Sequence, residues 1–172
     1  GMLDYFPLKS SLQWLQWRWW GERTTGYHAT SIALHLLGAL LVWRLFAQLG
    51  MRWAWLGGLL FAVHPLAVES VAWIAELKNV LSLPPLLLAA SCYIQFSRTG
   101  SRVSYGAALG LFLAAMLCKT SVAMFPVTLL LYSWWLRGRV ELREVRATVP
   151  FFGVALVLGL VTVWFQSERA IA

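Results

Sequence analysis

Residues 28–48 read HATSIALHLLGALLVWRLFAQ, a stretch in which Arg44 is the single formally charged side chain. About 20 consecutive apolar residues wound as an α-helix match the ~30 Å hydrocarbon core of a bilayer. Lipid offers no hydrogen-bond partners, so such a segment must satisfy its own backbone, as a helix or within a closed barrel. Further apolar stretches follow at roughly 53–66, 80–97, 103–118, 122–136 and 149–165. None alternates polar with apolar residues as a barrel strand does. The expected fold class is therefore all-α, a polytopic transmembrane helical bundle with about six spans. With 60% of residues hydrophobic and 12% charged, an ordinary soluble domain is excluded.

Arginine placement sets an expected orientation under the positive-inside rule. Arg44, Arg52, Arg98, Arg102, Arg137, Arg139, Arg143 and Arg146 fall in one set of loops, opposed by Glu141 and Glu144. That face is expected to be cytoplasmic. The other carries Lys9, Arg18, Arg23, Lys78, Lys119 and Arg169 against Asp4, Glu22, Glu69, Glu76 and Glu168, a near balance expected of a periplasmic or exterior face. The net charge of +7 thus reads as a topology signal, and with no continuous basic face nucleic acid is not an expected partner.

Two regions are expected. Residues 1–26 form an extracytoplasmic interfacial segment, because SSLQWLQWRWW alternates tryptophan with Gln and Arg as a helix lying flat on a leaflet would. Residues 27–172 form the transmembrane helical domain. Gly1 to Ser11 contains Asp4, Pro7 and Lys9 and lacks the apolar core of a secretory leader. Cys92 and Cys118 lie in apolar runs and are expected to pack as small hydrophobes. Pro84, Pro85 and Pro126 are expected to kink their helices.

The polar exception is HPLAVESVAWIAELKN at residues 64–79. Ionisable groups are unfavourable in lipid by roughly 2.5–3.5 kcal/mol each at a helix centre, so a cluster of them is a candidate site. On one continuous helix Glu69 and Glu76, seven residues apart, would share a face as a pair of carboxylates. Lys78 would then point away from Glu69. Lys119 closes one span and opens the next, where it either snorkels or receives a phosphate or a carboxylate. His64 ends the second span. His28 and His35 also share a face, and His35, two turns deeper, reads as a polar tie between helices. Three histidines at these spacings make no metal site by themselves.

Taken in order, YFPLKSSLQW, WGERTTGYHATSIALH, FAVHPLAVESVAWIAELKNVLS and LCKTSVAMFPVTLLLYSWW resemble the membrane domain of the transmembrane and tetratricopeptide-repeat protein O-mannosyltransferases, especially their bacterial relatives. The likeness runs from about Tyr5 to Trp164. It implies a partial GT-C-type fold in a bacterial inner membrane, moving a sugar from a polyprenyl-phosphate donor to a protein or glycan acceptor hydroxyl on the periplasmic side. Glu69 and Glu76 are then the catalytic candidates. Tyr27, His28, His64, Lys78 and Lys119 are the substrate-binding candidates, with no organic cofactor and no metal ligand assigned. Ala67, Leu77, Ser31 and Pro84-Pro85 depart from the family's usual residues. The family's expected acidic base lies upstream of YFPL, so the chain reads as a fragment or degenerate copy, expected to be inactive by itself. The rival reading is a membrane module that binds lipid phosphate or assembles with partner helices without catalysis.

Overall fold

A computed structural model of the chain describes residues 6–65, 71, 73 and 76–171, with backbone alone for 166 and 168–171. Asp4, Ala67 and Glu69, and the side chains of Glu168 and Arg169, lie outside the described residues. The described elements are α1 (Pro7–Trp20), α2 (Thr24–Gln48), α3 (Ala54–Val63), α4 (Leu77–Thr99), α5 (Arg102–Cys118), a 3₁₀ turn (Thr120–Met124), α6 (Phe125–Arg137) and α7 (Leu142–Ile171). All are helical, as the apolar runs require.

From α2 to α7 the helices reverse direction one after another. His35 of α2 meets Ala62 near the end of α3, Gln48 of α2 meets Ser91 of α4, and Tyr105 of α5 meets Ala147 of α7. Thr24–Gln48, Leu77–Thr99 and Leu142–Phe165 are long and apolar enough to cross a membrane. The expectation of about six spans is not supported. At 1.5 Å per residue α3, α6 and α5 reach only about 15, 20 and 26 Å, short of a ~30 Å core.

Local chemistry explains the turns. Gly100 sits at φ +72° between α4 and α5, a left-handed conformation that glycine adopts without steric cost, and its N–H closes on the Phe96 carbonyl at 2.8 Å. Ser101 then caps α5, its Oγ accepting from the Ser104 N–H at 3.3 Å. Pro126 does not kink a span as expected. It stands in the first turn of α6, where its missing N–H has no intrahelical partner to lose. Pro84 and Pro85 lie within α4, which continues past both to Thr99.

Alanine lets helices approach, and aromatic rings fill what remains. Ala89 and Ala108 are fully buried, facing Tyr93, Phe112, Met116, Phe125 and Leu129 around Phe151, itself 0% exposed. Phe151 packs edge-on to Tyr93 and Tyr105, with centroids 5.8 Å apart in both pairs, and lies 5.7 Å from Phe112. Where α2 crosses α3, a Cβ on Gly58 would come within 2.8 Å of the Ala39 carbonyl oxygen, so only glycine permits that contact. The outward face of α7 carries Leu156, Val157, Leu160 and Val163, all exposed. In a membrane that apolar surface belongs against lipid. Cys92 and Cys118 are free thiols, and Cys118 is buried.

Phe151→Ala should remove the ring that joins α4, α5 and α7 and lower unfolding stability by about 3 kcal/mol. Leu156→Ala, on the outward face, should change it by about 0.5 kcal/mol or less. Unfolding of both variants in mixed micelles, followed by near-UV circular dichroism, checks the contrast.

Candidate functional site

Two polar residues close the ends of adjacent helices. Glu76 occupies the position before α4, and Lys119 the position after α5, where the backbone extends at φ −160° and its N–H bonds the Ala115 carbonyl at 3.0 Å. Between them stands Asn79, in the first turn of α4. Its Nδ2 donates to Glu76 Oε2 and its Oδ1 accepts from Lys119 Nζ. A carboxamide is suited to this place because it offers a donor and an acceptor on neighbouring atoms. The bridge joins residues 40 positions apart into one line of carboxylate, amide and ammonium.

Lys119 stands between two open cavities. One, of about 240 Å³, lies among α2, α3, α4 and the 3₁₀ turn, with His35, Phe61, Asn79, Ser82, Leu83 and Lys119 in its wall. The other, of about 390 Å³, is bordered by Phe6, Lys78, Lys119, Thr120 and Thr162. Ser121 lines both. Thr162 donates to the Leu158 carbonyl at 2.8 Å, so the 3.2 Å contact with Thr120 must be donated by Thr120. This tie fastens the 3₁₀ turn to α7. Lys78 has no partner among the described residues, so two ammonium groups address the larger cavity.

Several expected site residues stand elsewhere. Tyr27 donates its phenolic O–H to the Gly21 carbonyl at 2.9 Å, tying α2 to the turn after α1. His28 is half-buried on α2, and His64 is exposed at the end of α3 with an extended backbone at ψ 127°. Neither these two nor Tyr27 lines either cavity beside Lys119. Trp73 is not helical, so the continuous helix on which Glu69 and Glu76 would share a face is interrupted between them, and Glu69 itself lies outside the described residues. Lys78 meets Lys119 at the larger cavity.

His35 is the polar tie expected of it. It is 7% exposed, its Nε2–H donates to the Ala62 carbonyl at 3.0 Å, and its ring lies 5.2 Å from that of Phe61. Sequence reasoning missed that it also faces the Lys119 cavity, and gave no role to Ser82, Ser121 or Thr162. The one available signal was Asn79, three residues beyond Glu76 and thus one helical turn away. Among the described residues no group of three or more His, Cys, Asp or Glu is placed to hold a metal ion.

Over 94 residues the chain is 34% identical to a Caenorhabditis elegans protein described as Protein O-mannosyl-transferase F38B6.6. The match takes in 49% of this chain and only 14% of the length of that relative. No protein-family profile and no solved structure matches the chain.

Asn79→Ala should strand the Lys119 ammonium and the Glu76 carboxylate together, at about 1–3 kcal/mol of stability. In a double-mutant cycle with Lys119→Ala the two losses should fall short of additive by about 1 kcal/mol. Chemical unfolding of the four proteins in detergent measures the coupling.

Proposed function

We propose that this chain is part of a membrane glycosyltransferase that moves a sugar from a polyprenyl-phosphate donor to an acceptor hydroxyl on the extracytoplasmic side. The observation that carries the reading is the Glu76–Asn79–Lys119 line, whose lysine also borders a cavity with Lys78, in a chain with three helices of membrane-crossing length. The similarity to an O-mannosyl-transferase over about half the chain supports it. A lipid carrier suits such a place, because its tail stays among apolar helices while its head reaches the bundle end.

In the proposed reaction a carboxylate takes the proton of the acceptor hydroxyl. That oxygen bonds to the anomeric carbon with inversion, and the carbon–oxygen bond to phosphate breaks with its electron pair on the phosphate. Lys78 and Lys119 receive the growing charge, which fixed ammonium groups in a low-dielectric site stabilise strongly. Glu76 is held by Asn79 and orients the line. Glu69 is proposed as the proton acceptor, with His64, Tyr27 and His28 at the margin of the substrate path. The shorter α3, α5 and α6 complete their passes with flanking residues in a partial GT-C-type bundle. The segment through residue 26 rests in the interface with Trp14, Trp17 and Trp19 outward.

A second reading has one observation in its favour. The Glu76 carboxylate is already engaged by Asn79, as in a module that binds lipid phosphate without chemistry.

Lys119→Ala should weaken binding of a short-chain polyprenyl phosphate to the protein in nanodiscs by about 10–100-fold, the loss of one or two charge-assisted hydrogen bonds. Unchanged binding would remove the phosphate role. Sugar transfer abolished by Glu69→Gln in the longest native polypeptide containing this sequence would favour the enzyme, and binding without transfer the module.

A further inference from the structure

The two cavities beside Lys119 differ in what they offer a ligand, and the difference is one of hydrogen-bond sense. A phosphate ester at neutral pH has mostly acceptors and seeks donors. A sugar ring carries hydroxyl protons and must also place them. The larger cavity sets a second ammonium group, Lys78, beside Lys119 and Ser121, while the Thr120 and Thr162 protons are already committed to Thr162 and Leu158. That is a seat for an anion.

Beyond Lys119 and Ser121, which line both cavities, the smaller one adds two acceptors. A carbonyl can only accept, so the bond to Ala62 places a proton on His35 Nε2, and in that Nε2–H tautomer Nδ1 is a lone-pair acceptor with no partner among the described residues. Ser82 donates its own proton to the Asn79 carbonyl at 3.2 Å, and its Oγ keeps its lone pairs for another donor. Phe61 adds an apolar wall of the kind that covers the C–H face of a sugar. The cavity's volume of about 240 Å³ gives room for a group the size of a monosaccharide.

We propose that the His35 cavity is the seat of the transferred sugar ring and the Lys78 cavity the seat of the phosphate, with Lys119 as the partition both share. This rests on the polyprenyl-phosphate reading above and deepens it by assigning each half of the donor to its own compartment. His35 is then a specificity-determining contact to a sugar hydroxyl, in addition to tying α2 to α3.

The test uses the full chain in nanodiscs and two probes, a short-chain polyprenyl phosphate and the same carrier bearing a hexose. Lys78→Gln should weaken both by a similar factor, about tenfold. His35→Gln, which can keep an N–H directed at Ala62, should weaken the hexosyl carrier alone by about fivefold. Ser82→Ala, a small change that leaves the helix intact, should act in the same selective way and guards against misfolding of the His35 variant. If His35→Gln and Ser82→Ala change both probes equally, or neither, the two-compartment assignment is overturned while the lipid-phosphate reading stands. If wild-type protein binds neither probe, both fall together.

Discussion

In a bundle of apolar helices a charged side chain needs a partner supplied by the protein, and here that partner is the carboxamide of Asn79. It meets Glu76 with its amino group and Lys119 with its oxygen, so each charge ends on a dipole of the right sign. The consequence reaches beyond electrostatics. Lys119 lies where α5 ends and the 3₁₀ turn begins, and anchoring its side chain to α4 fixes how the chain enters α6. Two cavities open on either side of that anchored ammonium group.

The opposite end of the bundle is fastened by different means. Arg98 donates to the Gln48 carbonyl at 2.6 Å, Gln48 to the Ser91 carbonyl at 2.9 Å, and Tyr105 to the Ala147 carbonyl at 2.9 Å. Arg137 pairs with the buried Glu144, whose other oxygen accepts from the Glu141 N–H at 3.0 Å and so caps α7. Between the two ends sits the aromatic cluster around Phe151. Both ends are thus tied between helix termini, and the larger polar-lined cavities lie at the Lys119 end. A pocket at one end of a well-fastened bundle can stay open without loosening the helices that form it.

Arg98 and Arg137 make their ties at one end of the bundle, and Lys78 and Lys119 share a cavity at the other. Other expectations failed for identifiable reasons. The last apolar stretch was expected from residue 149, yet α7 begins at Leu142, because the capping carboxylate of Glu144 lets a charged first turn join the helix. Pro126 starts a helix where a kink is expected, because the first turn has no hydrogen bond for proline to remove. The continuous helix assumed for Glu69 and Glu76 is interrupted at Trp73.

Sequence by itself determined that the chain is helical and apolar, where its helices lie to within a few residues, and that Lys119 occupies a turn between two of them. These follow from local causes: long apolar runs demand internally satisfied backbones, and Gly100, Ser101 and Pro126 act within one turn of their own positions. Tertiary structure alone decided that Asn79 binds Lys119, that His35 faces the same cavity, and that Tyr27 does not. Each depends on where one helix lies against another, and side-chain packing at crossings such as Gly58 on Ala39 sets that, not the periodicity of any single segment.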